Sequence, residues 1–135
     1  MTMEHSKDFV KASLRLADRA LEGARALLDR GEYFGAVSRA YYGIFHATRA
    51  ILYTYGITTK THSGLVSLFG EYVIKKGIMS GEFAEILAKA LDMRQKGDYE
   101  VFTEFKEEEV KRLIADAEKF VESVKQVLKP RLSSI

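Results

Sequence analysis

The sequence predicts an all-α fold, an up-and-down bundle of four long helices and one short one. Three observations predict it. Apolar residues recur close to every 3.6 residues in five separate segments. The only proline, Pro130, stands near the end of the 135-residue chain, so almost nothing forbids helix before it. Gly31, Gly56, Gly77 and Gly97 each follow an apolar pattern at a position suited to a left-handed C-terminal cap.

Ser6 with Asp8 opens the first segment, where Val10, Leu14, Ala17, Leu21, Ala24 and Leu28 form one stripe. The second carries Val37, Tyr41, Ile44, Thr48, Ile51 and Tyr55. The short third segment runs from about Gly64 to Lys76 behind Ser63 as N-cap, with Leu65, Phe69, Tyr72 and Val73. Ser80 caps the fourth, which carries Phe83, Leu87 and Leu91. Val110, Leu113, Ala117, Phe120, Val124 and Leu128 define the fifth, which Pro130 is expected to stop. Gly56 to Thr59 hints at extended structure but is too short for a sheet. No repeat, low-complexity tract or linker divides the chain, so residues 1–135 are expected to form a single domain.

Composition narrows the class. Hydrophobic residues at 47% and charged residues at 30% are the balance of a soluble globular protein. The absence of cysteine excludes a disulfide scaffold, thiolate catalysis and cysteine-ligated metals, and it suits a reducing cytoplasm. No apolar run approaches the ~20 residues that span a bilayer, and MTMEHSKDF has no signal-peptide core, so a cytoplasmic protein with no membrane contact is expected. Against 21 Lys and Arg stand 19 Asp and Glu, a net charge of +2, so any basic site must be a local patch.

Helix two sorts into three faces at 100° steps. One is the apolar stripe. The second, Ala36, Ala40, Gly43, Ala47 and Ala50, is small enough for a neighbouring helix to approach closely, which makes this the central helix. The third gathers Ser38, Arg39, Tyr42, His46, Arg49 and Tyr53 within about 100° of arc. Arginine forks bind phosphate, tyrosine rings stack on bases and histidine transfers protons near neutral pH. The same composition suits a dimer interface, and the two readings are compatible.

Helix four ends in charge. Arg94 continues the Phe83–Leu87–Leu91 stripe, and Asp98 follows four residues later as its partner. The pair either closes the end of the bundle or orients Arg94 for phosphate, with Tyr99 beside it to stack or donate. Lys60-Thr61-His62 precedes helix three and is a weaker anion candidate at a helix N-terminus, where histidine is more often structural. His5, His46 and His62 show no metal-ligand spacing, so no metal and no cofactor are expected. Neither HExxH, Walker A, Gly-x-Ser-x-Gly nor Gly-x-Gly-x-x-Gly occurs, which argues against zincins, P-loop enzymes, serine hydrolases and Rossmann enzymes. The run from Lys106 to Arg112 reads as a solvated helix face with i,i+4 pairs.

Three strings in order, AVSRAYYGIFHATRAIL, KTHSGLVSLFGEYV and LDMRQKGDYEVF, resemble the small prokaryotic HEPN domains. More narrowly, they resemble the branch with the AYY-x-x-FH-A signature and an R-x-x-x-D-Y motif, over roughly Tyr33 to Leu128. The resemblance implies a helical bundle, a homodimer and a partner of the minimal nucleotidyltransferase kind, in a toxin–antitoxin or stress-response pair. Ribonuclease members carry Arg-x4–6-His and cleave RNA without metal through attack by the 2′-hydroxyl. Arg94 matches the motif arginine, whereas Tyr99, Glu100 and Val101 occupy the histidine positions. Arg39 and His46 satisfy the bare spacing on a different helix.

The resemblance implies a nucleotide- or RNA-binding module, and the polar face of helix two with the charged end of helix four offers Arg39, Tyr42, His46, Arg49, Arg94, Asp98 and Tyr99 as its site. A metal-independent endoribonuclease using Arg94 with His46, or with Tyr99, is the first alternative, and a purely structural helical dimer is the second. The two polar groups, on helices two and four, are expected to meet in one protomer or across a dimer.

Overall fold

The computed structural model describes residues 3–100 and 102–133, with side chains placed within Ser6 to Leu132; Val101 and the His5 side chain lie outside the described residues. Among the described residues all regular structure is helical: α1 (Met3–Asp29), α2 (Tyr33–Tyr53), α3 (His62–Phe69), α4 (Gly81–Tyr99) and α5 (Glu107–Ser133). The chain leaves α3 through one wide π turn, Gly70–Ile74, closed by the Lys75 N–H on the Gly70 carbonyl at 2.9 Å.

The apolar stripes build the core. Val10, Ala17, Val37, Tyr41, Ile44, Ile51, Phe69, Leu87 and Phe120 are all buried, and the small face of α2 is buried with them. Helix α2 packs on α1, α3, α4 and α5, so it is the central helix. Gly43 permits the closest of these approaches, because a Cβ there would fall 2.7 Å from Leu21 Cδ2 of α1. No helix among the described residues is long and apolar enough to cross a membrane.

Gly31, Gly56 and Gly77 adopt positive φ and end their helices as expected. After α1, the Glu32 N–H reaches the Leu27 carbonyl at 2.9 Å, and after α2 the Ile57 N–H reaches that of Leu52 at 3.1 Å, which satisfies carbonyls otherwise left open.

Four expectations need correction. Gly97 is not a cap; it lies inside α4, where a Cβ would come within 3.1 Å of Phe105 and 3.2 Å of Phe34. Helix α4 therefore continues to Tyr99 and carries Arg94 and Asp98 on one regular helix. Thr61, not Ser63, caps α3, with its hydroxyl accepting the Gly64 N–H at 2.9 Å. Helix α1 already begins at Met3, ahead of Ser6 and Asp8. Finally, α5 passes through Pro130. Proline forfeits one backbone hydrogen bond close to the helix end, and contacts beyond it offset the loss. Arg131 donates to the Thr54 carbonyl at 3.3 Å and lies 4.9 Å over the Tyr55 ring.

Candidate functional site

The site begins with a cap. The Thr61 N–H bonds the Thr59 hydroxyl at 3.3 Å, and Thr61 in turn caps Gly64. Both hydroxyls crowd Gly64, where a Cβ would lie 2.5 Å from Thr61 Oγ1 and 2.6 Å from Thr59 Oγ1. Only glycine leaves room for that cap. His62 is thereby fixed as the first residue of α3 and turned toward α2 and α4.

His62 joins two helices. Its Nδ1 lies 2.5 Å from the Tyr41 hydroxyl of α2, and its Nε2 lies 3.5 Å from Arg94 Nη1 of α4. A guanidinium can only donate, so Nε2 must offer its lone pair. That assigns the proton to Nδ1, which donates to the Tyr41 oxygen, and makes the imidazole neutral. The environment agrees. Burial, and then the Arg94 charge, hold His62 below the ordinary histidine value of 6.5. Burial pushes the Tyr41 phenol well above its usual range, more than Arg94 pulls it back, so Tyr41 keeps its proton.

Arg94 is held from three sides. Its guanidinium carbon stands 5.4 Å from the Tyr41 ring centre and 5.1 Å from that of Tyr42, and Nη2 pairs with Asp98 at 3.5 Å. The Arg94 side chain is 19% exposed against 40% for Asp98. Its Nε is buried with no hydrogen-bond partner. A pair this exposed at the acid contributes about 0–1 kcal/mol, and the ring contacts about 0.5–2 kcal/mol. A leucine continuing the α4 stripe would stabilise by a similar or larger amount, about 1.5–3 kcal/mol. Stability alone does not explain an arginine with an unsatisfied buried donor.

The expected residues divide. Tyr42 and Asp98 meet Arg94 directly. His46 is one ring removed, with its centroid 6.2 Å from Tyr42 and 5.4 Å from Phe45. Its Nδ1 is buried without a partner, and burial, then the Arg49 charge, hold it below the ordinary histidine value. Arg49 lies further along α2, over Phe9 and Phe45. Arg39 lies over Gly23 of α1 rather than against Arg94. Tyr99, at 79% exposure, faces solvent. The junction with His62 and Tyr41 is what the sequence pattern did not join. Tyr41 belongs to the core stripe and His62 to a different segment, where the sequence offers Lys60-Thr61-His62 only as a weaker anion candidate with a histidine more often structural. No group of three His, Cys, Asp or Glu side chains capable of holding a metal occurs among the described residues.

A family model described as HEPN domain matches residues 10–127 of the chain. A Methanocaldococcus jannaschii protein named "Putative toxin" is 34% identical over 91% of this chain and 91% of its own. Another of that name from the same organism is 31% identical over 95% of this chain and 86% of its own. A Thermotoga maritima protein named only "UPF0332 protein" is 29% identical over 93% of this chain and 96% of its own.

Proposed function

The chain belongs to the HEPN domain family, and from that premise we propose that residues 1–135 form one cytoplasmic HEPN module that binds a nucleotide or RNA at Arg94. One observation carries the reading: a guanidinium laid on two tyrosine rings with a buried, unsatisfied Nε. A phosphate supplies the pair of oxygen acceptors that such a planar guanidinium lacks, and Tyr42 or the exposed Tyr99 supplies a face for a base. Asp98 orients the guanidinium. The names of two relatives favour a toxin role. The partner that the sequence resemblance implies for such a role is a minimal nucleotidyltransferase, and the Tyr- and Arg-bearing face of α2 suits a homodimer.

Thermal-shift titration with nucleotides and a short RNA, with and without EDTA, tests this. Ligand should raise the melting temperature of the wild type and of Lys111→Ala, on the outer face of α5, but not that of Arg94→Ala. If Arg94→Ala only lowers the melting temperature while ligand still stabilises it, the Arg94–Asp98 pair is structural and the reading fails.

The Arg94–His62 contact favours a second reading, metal-independent RNA cleavage. In it His62, rather than His46, serves as the base. Phosphate draws Arg94 off Nε2, which then takes the 2′-hydroxyl proton as O2′ attacks phosphorus. The P–O5′ bond breaks, O5′ takes a proton from water, and a 2′,3′-cyclic phosphate remains. RNA cleavage that EDTA leaves unchanged and His62→Gln abolishes is the expected signature.

A further inference from the structure

His62 and Arg94 meet through a contact that opens easily. At 3.5 Å, the distance from Nε2 to Nη1 lies at the long end of hydrogen bonding. The opposite ring nitrogen is tied to Tyr41, so turning the imidazole would break that bond. The remaining surroundings are aromatic and cationic. From α2, the Tyr41, Tyr42 and Phe45 rings stand 5.4, 6.3 and 5.3 Å from the imidazole. From α4 comes Arg94, whose other terminal nitrogen is held by Asp98. Lys60 stands just upstream, and among the described residues no carboxylate pairs with His62.

The free protein therefore keeps His62 neutral, through burial and the Arg94 charge. Its place as first residue of α3 acts in the same direction, since a helix N-terminus disfavours a cation. An anion beside Arg94 offsets both the guanidinium charge and the helix dipole. Once Arg94 turns its donors to phosphate, the Nε2 lone pair faces an anionic oxygen, acceptor against acceptor. A proton on Nε2 converts that repulsion into a charge-assisted hydrogen bond, while Nδ1–H stays on Tyr41.

We propose that His62 is the second ligand of a phosphate at Arg94, and that it takes up one proton from solvent as the phosphate binds. The proposal rests on Arg94 being the phosphate site. It parts from the cleavage reading, because an imidazolium has no lone pair left to act as base. Binding is then linked to pH. Affinity rises as pH falls through the His62 value in the complex, and it levels off below the lower value of the free protein.

Calorimetric titration of a 2′-O-methylated adenylyl-adenosine dinucleotide tests this. Its single diester phosphate keeps one charge throughout, whereas a monoester would itself titrate near pH 6. From about pH 8 to about pH 5.5, wild type and His46→Gln should tighten about threefold to tenfold, within the limit of tenfold per pH unit that one proton sets. Repeating the wild-type titration in buffers of different protonation enthalpy should show up to one proton entering per ligand, a result that needs no variant. His62→Gln, whose amide can still donate, should bind with an affinity that pH leaves flat and without proton uptake. Arg94→Ala should bind at no pH. Wild-type binding that is flat with pH and takes up no proton overturns the role of His62 and leaves the Arg94 reading standing. So does a linkage that survives in His62→Gln. Absence of wild-type binding at every pH, or normal binding by Arg94→Ala, instead defeats the Arg94 reading and this inference with it.

Discussion

At the residue scale, the chemistry turns on two neutral histidines. His62 and His46 are both held below the ordinary histidine value of 6.5 in the folded chain, by burial first and an arginine second. In the unfolded chain they titrate near 6.5, so below that pH the unfolded state binds more protons than the folded state. Their contribution to stability is complete above about 6.5 and is lost as pH falls toward the folded values. The melting temperature should therefore drop between about pH 7 and pH 5, and the double variant His46→Gln, His62→Gln should flatten that drop. An unchanged slope in the double variant would assign the acid sensitivity to other groups. Gly64 acts at the same scale through the cap. Gly64→Ala places a Cβ 2.5 Å from Thr61 Oγ1, so it should displace the cap, cost about 1 kcal/mol in denaturant unfolding and weaken ligand binding along with stability. Ser63→Ala, one residue earlier and exposed, should do neither.

At the element scale, the helices were largely legible in the sequence because burial on one face imposes a period. Every residue of the α5 stripe from Val110 to Leu128 is buried as its spacing predicts. Termination was less legible. Gly97 and Pro130 are strong local breakers, yet both sit within helices, because tertiary contacts decide there. Two rings need the space that Gly97 leaves, and Arg131 anchors the chain past Pro130. The site followed the same division. Arg94 and Asp98 were readable as charge interrupting an apolar stripe, four residues apart. The approach of His62 was not readable, since it depends on how the segment between α2 and α3 folds back across Tyr41. Gly43 gives a test of the close packing that holds α1 on α2. Gly43→Ala brings a Cβ to 2.7 Å from Leu21 Cδ2, so it should cost about 1–3 kcal/mol by denaturant unfolding. The double variant Gly43→Ala, Leu21→Ala should lose less than the sum of the two single variants, because each makes room for the other. Additive losses would mean that the two helices separate rather than repack.

At the scale of the whole molecule, charge is nearly balanced, and that limits how a polyanion can bind. A net charge of +2 gives no broad basic field to hold a nucleic acid at a distance. Part of the charge is already paired, Lys119 of α5 with Glu82, Lys125 with Asp18 and Lys111 with Glu107. At the junction of α2 and α4, Arg94 is the cation proposed to meet phosphate. Each phosphate neutralised on a single strand releases condensed counterions and adds about −0.7 to the slope of log K against log salt. One phosphate at Arg94 therefore predicts a slope of about −0.7 for a short RNA between about 50 and 200 mM salt. Arg94→Ala should bring that slope close to zero. Fluorescence anisotropy with a labelled RNA hexamer measures both slopes directly. A wild-type slope of about −4 or steeper would mean that charges spread over the whole surface do the binding, and Arg94→Ala would then change it little.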